Sequence, residues 1–210
     1  MKITIYGTSS AKFRKSDPSW GFKTYCEQIS DYFQNYTINW KGVNTCSIER
    51  MYSLIKKDKN SDIIIIMHGK PDYIYCPGLV KDISIHDMKT MLVNKQNRNK
   101  GMINSHTRQT GKNISFILSL CYYYTSIFYD PNIRIDIYSS ILMHLDKLLM
   151  NRKVVHCSCL GAHDLLNSGS VIKETKKIFK QSHPVYYFIE ENHNKLAQLL
   201  IGKINEYNRI

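Results

Sequence analysis

The stretch Asp62-Ile-Ile-Ile-Ile-Met-His-Gly69 decides the fold of this chain. Its apolar residues follow one another without alternation, which indicates a strand that is buried on both faces. Strands of this kind belong to parallel sheets that carry helices on each side. We therefore predict a core strand, buried on both faces, that ends at His68 and Gly69.

A second informative stretch lies at the start of the chain, Lys2-Ile-Thr-Ile-Tyr-Gly7-Thr8-Ser9-Ser10. Here a β-branched strand ends in a glycine, and hydroxyl residues follow at once. Sheets of α/β proteins bind their ligands at the carboxyl ends of the strands, where such a turn presents a nucleophile or holds a phosphate. We expect any functional site to begin at this junction, although Ser9 is equally well interpreted as a polar residue that closes the turn.

Helical and strand patterns alternate along the rest of the chain. The spacing of apolar residues predicts helices over 20–33, 47–57, 114–128, 135–150, 171–180 and 190–207, and strands over 36–40, 153–158 and 185–189. Residues 89–113 are basic and polar, which indicates a surface loop or a partly disordered insertion. We predict a single α/β domain over 1–210, in which helices on two sides cover a doubly wound, mostly parallel sheet of about five strands, giving three layers.

The charge of the chain is strongly positive. It holds 29 Lys and Arg against 17 Asp and Glu, a formal net charge of +12. Such a balance is compatible with nucleic acid, an anionic membrane or an acidic polymer as a partner, but a solvated basic face is the simpler interpretation. The sequence shows no Walker loop, no GxGxxG and no known nucleic-acid-binding module, so nucleic acid is a weakly supported partner.

The six cysteines form no CxxC pair, and most lie in apolar runs where a reduced thiol packs as a small hydrophobic group. His156 and Cys157 are neighbours on a predicted strand and point to opposite faces, so we expect no metal site there. No apolar stretch reaches the length of about 20 residues that spans a bilayer, and no signal peptide is recognisable. These features predict a cytoplasmic protein of a host cell without a metal.

Taken in order, the segments resemble the SGNH (GDSL-like) hydrolase superfamily and, more loosely, the SGNH-like proteins of bacteriophages. In that family the first strand ends in Gly-Asp-Ser, and Gly7-Thr8-Ser9 occupies the same position here. The resemblance implies a flavodoxin-like or SGNH-like sheet, a serine that attacks an ester carbonyl, and no cofactor. Ser9 would be that nucleophile.

The family's oxyanion hole is built from the nucleophile and two later segments. Where the family has a glycine in the second segment, this chain has Thr45, whose backbone N–H can still donate. The third segment, Gly-x-Asn-Asp in the family, is Gly69-Lys-Pro71-Asp here, and proline lacks both the side-chain amide and the backbone N–H. The resemblance thus implies Ser9, Thr45 and Gly69 as oxyanion donors.

The family's last segment, Asp-x-x-His, supplies the general base and its orienting carboxylate. Aligned by the closing helix, these positions fall on Pro184 and Tyr187. Two substitutes remain open: His183 with a carboxylate from elsewhere, or His193 oriented by Glu190 three residues earlier.

Two functions therefore follow from the resemblance. The first is a serine esterase that acts on acyl or acetyl esters, with an acylated glycan as the substrate. The second keeps the fold without the chemistry: an inactive binding or structural module that contacts a protein partner, plausibly as a component of a virus or phage particle.

Overall fold

The computed structural model describes residues 1–8, 11–43, 46–69, 71, 73–75, 83–85, 123–157, 166–175, 178 and 189–209. The strands in these ranges are β1 (Lys2–Gly7), β2 (Thr37–Gly42), β3 (Ile63–Met67), β4 (Tyr73–Ile74), β5 (Ile83–Ser84), β6 (Lys153–Cys157) and β7 (Ser170–Ile172). β4 and β5 pair with each other in antiparallel fashion. The other five strands form one parallel sheet in the order β2-β1-β3-β6-β7.

This strand order is the flavodoxin-like order 2-1-3-4-5, and it confirms the predicted doubly wound sheet. β3 lies at the centre, between β1 and β6, and all five of its residues are buried. The unbroken apolar run therefore predicted a strand buried on both faces correctly, because helices on both sides leave it no solvent-facing residue.

Within the described ranges, four α-helices cover the two faces of the sheet: α1 (Tyr25–Tyr32), α2 (Ile48–Lys56), α3 (Pro131–Leu149) and α4 (Glu190–Asn208). One apolar cluster joins α1 and α4 to odd-numbered strand residues, among them Ile3, Ile5, Ile63, Ile65 and Met67. A second cluster joins α2 and α3 to the opposite face, with Tyr6, Ile64, Ile66 and Val154. The result is the predicted three-layer arrangement. None of the helices in the described ranges is long and apolar enough to cross a membrane.

The helix predicted over 20–33 is shorter than expected and begins at Tyr25. Thr24 is its N-cap and forms a capping box with Glu27: the threonine hydroxyl accepts from the Glu27 N–H, and the Glu27 carboxylate accepts from the Thr24 N–H. This reciprocal pair fixes the helix start. Residues Pro18–Trp20 form a separate 3-10 turn, capped by Asp17.

The helix predicted over 135–150 begins earlier, at Pro131. The Asp130 carboxylate accepts hydrogen bonds from the N–H groups of Asn132 and Ile133, and proline occupies the first helical position. Both features are helix start signals. They extend the amphipathic pattern by one turn.

The helix predicted over 171–180 is wrong in its first part, because Ser170–Ile172 is a strand that pairs with residues 155–157 of β6. Other predictions fall wholly or partly outside the described residues: the basic insertion 89–113, the first part of the helix 114–128 and most of the strand 185–189. The described end of the helix 114–128 is a π-helical turn, Tyr124–Phe128.

Candidate functional site

The strand order reverses between β1 and β3, and the carboxyl ends of these two strands meet at that point. Gly7 ends β1 with φ 150°, and a Cβ atom there would lie 2.4 Å from the Met67 carbonyl oxygen. Gly69 follows β3, and its Cβ would lie 2.6 Å from Cγ2 of Thr8. Both glycines thus allow the two strand ends to touch, at the position where doubly wound sheets bind ligands.

Two of the predicted site residues, Ser9 and Thr45, lie outside the described residues, but their neighbours are placed. Thr8 is buried, and its carbonyl oxygen accepts a hydrogen bond of 2.9 Å from the Ala11 N–H. Ser47 caps α2 through a hydrogen bond from the Arg50 N–H. The predicted oxyanion residue Gly69 is described and lies beside Thr8.

A buried histidine pair lies next to this point, and sequence reasoning did not predict it as a unit. His68 follows β3 and His156 belongs to β6; both have no exposed surface. Nε2 of His68 lies 2.9 Å from Nδ1 of His156, and the rings stack with centroids 5.2 Å apart. The expected opposite orientation of His156 and Cys157 is also observed, because Cys157 belongs to the cluster on the other face of the sheet.

The pair continues into a serine and a carboxylate. Nε2 of His156 lies 3.3 Å from Oγ of Ser168, and Oδ1 of Asp146 accepts from the N–H groups of Asn167 and Ser168 at 3.0 and 2.7 Å. Burial alone would raise the pKa of Asp146, but hydrogen bonds from the Ser168 side chain and these N–H groups lower it below the usual range. Asp146 is therefore an ionised carboxylate at the end of a buried polar chain. We call Asp146, Ser168, His156 and His68 the Asp–His relay.

The hydrogen-bonding capacities of the groups give the relay a direction. An ionised Asp146 can only accept and takes the backbone N–H of Ser168, while the adjacent Ser168 hydroxyl is placed to accept Nε2–H of His156. Nδ1 of a neutral His156 then accepts from Nε2–H of His68. This arrangement makes Nδ1 of His68 the basic nitrogen at the far end, and a proton added there is stabilised by the negative charge of Asp146.

A second feature that sequence reasoning missed is the buried Arg134 of α3, which is only 6 % exposed. Its guanidinium holds the Glu49 carboxylate through two hydrogen bonds and donates to the carbonyl oxygens of Pro71 and Tyr73. Arg134 thereby fastens the segment that leaves β3 to α2 and α3. In the sequence, Arg134 can be recognised as a charged residue on the apolar face of the helix, because it lies at helical spacing from Tyr138, Leu142 and Leu145.

The structure places His193 at the start of α4, buried against the rings of Tyr25 and Phe22. Its Nδ1 accepts a hydrogen bond of 3.1 Å from the Tyr25 N–H. Burial lowers the pKa of His193 to about 4, although the nearby Glu27 charge acts in the opposite direction. Nδ1 of His193 is therefore occupied by a backbone N–H, and the orientation of His193 by Glu190 stays a prediction.

Glu190 itself is exposed at the first position of α4, and His183 lies outside the described residues. Among the described residues no group of His, Cys, Asp and Glu side chains could hold a metal ion. The predicted site residues that the structure describes therefore divide in two: Gly69 lies at the β1–β3 junction, and Glu190 and His193 lie at the start of α4.

No family model matches the chain, and no curated protein is similar to it. The strand order alone defines the class, a doubly wound α/β protein with flavodoxin-like topology. The SGNH resemblance stays a prediction that depends on the short segments quoted above.

Proposed function

We propose that the protein is an SGNH-like hydrolase of acyl esters, with its site at the junction of β1 and β3. The observation that carries this proposal is the Asp–His relay, which polarises His68, the residue before Gly69. Thr8, the residue before Ser9, packs against Gly69. Ser9, the predicted nucleophile, and His68, the proposed base, are therefore each one residue away from the contacting pair Thr8 and Gly69.

In the proposed reaction the Ser9 hydroxyl attacks the ester carbonyl while His68 takes its proton. The imidazolium that forms is stabilised through His156 and Ser168 by the charge of Asp146. Since the His68 side chain has no exposed surface, the group that it deprotonates must pack directly against it. The N–H groups of Ser9, Thr45 and Gly69 are the proposed donors to the oxyanion, and an O-acetyl group on a glycan is the proposed substrate.

The proposal is tested by turnover of short-chain p-nitrophenyl esters and of acetylated glycans. Ser9→Ala and His68→Gln should each lower the rate by about 100-fold to 10,000-fold, because nucleophile and base act as one unit. Ser10→Ala removes a hydroxyl from the adjacent residue and is the matched control; it should keep the natural rate. Undiminished turnover by Ser9→Ala would exclude Ser9 as the nucleophile, and the absence of turnover in every protein would favour the inactive binding module.

A second candidate function follows from the position of the base itself. Cys121 follows the largely apolar run 114–120, and His68 precedes it by about 50 positions. In one class of cysteine proteases the histidine base likewise lies about 50 positions before the cysteine nucleophile. Cys121 lies outside the described residues, so the proposal depends on this sequence order and on the observed relay at His68. In this reading His68 would activate a thiol for acyl transfer instead of the Ser9 hydroxyl.

Alkylation by iodoacetamide at neutral pH distinguishes the two nucleophiles. Burial raises the pKa of Cys26 to about 11 and that of Cys157 to about 12, so these thiols should react slowly. A reactive Cys121 should be labelled first, and His68→Gln should slow its labelling. Labelling of Cys121 no faster than that of Cys26, or at a rate independent of His68, would remove the cysteine alternative.

A further inference from the structure

A groove on the α2 side of the sheet, away from the β1–β3 junction, contains a concentration of positive charge. It has a volume of about 360 Å³ and lies between the first two strands of the sheet and the C-terminal end of α2. Its floor consists of side chains of β1 and β2, and its wall is the turn after α2. Four lysines line it: Lys2, Lys41, Lys57 and Lys59. We call it the lysine groove.

The polar face of β2 explains why the groove is open. Ile38 and Trp40 point to the opposite side and pack against the cluster under α1 and α4. Asn39 and Lys41 alternate with them and therefore point into the groove.

The charges of the groove are unbalanced. Among the described residues, no ion pair includes any of the four lysines. The one carboxylate in the lining, Asp58, accepts hydrogen bonds from the Tyr6 and Ser61 hydroxyls and from the N–H groups of Asn60 and Ser61. Burial would raise the pKa of Asp58, but these hydrogen bonds lower it, so its charge is already stabilised within the protein.

We propose that the lysine groove binds a compact ligand with several phosphate groups. Ammonium groups are point donors that bind phosphate oxygens, and the Asn39 and Asn60 amides in the lining add neutral donors. The volume lies at the lower end of the range for small-molecule sites. The lining contains no exposed aromatic ring on which a base could stack, since Tyr6 is only 5 % exposed and its hydroxyl is bonded to Asp58. These properties favour a compact phosphorylated molecule over a nucleic-acid strand.

The test uses calorimetric titration of the full chain with inorganic tripolyphosphate at low salt. Reversal of two groove lysines, Lys41→Glu with Lys59→Glu, should weaken binding by about tenfold or more for each lysine, because each loses a charge-assisted hydrogen bond and adds a repulsion. Lys195→Glu on α4, on the opposite side of the sheet, is the matched control and should change the affinity little. All three lysines are exposed, so the variants should fold.

Three results would overturn the proposal. The first is the absence of tripolyphosphate binding by the natural chain. The second is a loss in the Lys195→Glu control as large as the loss for each groove lysine, which would show that only the net charge matters. The third is tripolyphosphate binding that is insensitive to the two groove substitutions, because the anion site would then lie elsewhere. Ester turnover is independent of all three results.

Discussion

Replacing His193 by glutamine should make the stability of the protein less sensitive to acid. His193 is buried between α1 and α4, where its Nδ1 accepts from the Tyr25 N–H. Protonation of the ring would place a charge in this apolar contact and turn the acceptor into a donor that faces another N–H group. Burial accordingly lowers the pKa of His193 from 6.5 to about 4.

The sign of the effect follows from proton binding in the two states. Between pH 4 and 6.5 the unfolded chain binds a proton at His193 that the folded chain excludes, so the free energy of unfolding falls as the pH falls through this window. The stability that depends on a neutral His193 is complete above pH 6.5 and is lost as the pH falls towards 4. At about 1.4 kcal/mol for each pKa unit, lowering the pH from about 7.5 to about 5 should cost roughly 2 kcal/mol.

Urea denaturation at a series of pH values measures this difference. In His193→Gln the amide oxygen can still accept from the Tyr25 N–H but does not titrate, so this part of the pH dependence should disappear. His144→Gln replaces an exposed histidine of α3 and is the matched control, which should behave as the natural chain does. Carboxylates such as Asp58 and Asp146 titrate in all three proteins and cancel in the comparison. A difference between the natural chain and His193→Gln of less than about 0.5 kcal/mol would refute the reasoning.

Three further predictions concern the contacts around the sheet. Arg134→Met should destabilise the protein by about 3 kcal/mol in urea denaturation, because it leaves the Glu49 carboxylate without its guanidinium partner; a loss below about 1 kcal/mol, as for an exposed ion pair, would contradict this. Ser168→Ala interrupts the Asp–His relay and should lower ester turnover by about tenfold or more, whereas Ser170→Ala, two residues away in β7, should not. Thr24→Ala removes the capping box of α1 and should cost about 1 kcal/mol, measured by the same denaturation and contradicted by an unchanged midpoint.

The fold was predictable from the sequence where a strand consists of consecutive apolar residues. β3 and β1 are recognised because each has enough apolar, β-branched residues to define a strand without knowledge of its neighbours. β7 has three residues and is followed by a charged segment, so its own sequence carries too little signal. It is a strand because residues 155–157 of β6 offer an edge to pair with, and this edge exists only once the sheet has formed.

The relay was not predictable as a unit because its members are far apart in the chain. His68 and His156 are separated by 88 positions, and Asp146 and Ser168 by 22. One signal was available: both apolar runs carry a histidine near their carboxyl ends, and parallel strands bring these ends to the same edge of a sheet. Only the register, in which Ile66 lies beside His156, shows that the two rings meet.

The hydrogen bonds also decide which histidine is the better base for a nucleophile at the β1–β3 junction. Because Nδ1 of His193 accepts from a backbone N–H, its neutral ring carries the proton on Nε2, the atom that would have to receive a proton from a serine. A change of tautomer would break the bond to Tyr25, and a pKa of about 4 makes the ring a weak base. His68 has the opposite polarity, since the relay takes its Nε2–H and directs the negative charge of Asp146 towards it. If Ser9 attacks an ester, the closing helix therefore supplies packing and β3 supplies the base, which is a different division of roles from the one that the SGNH resemblance implies.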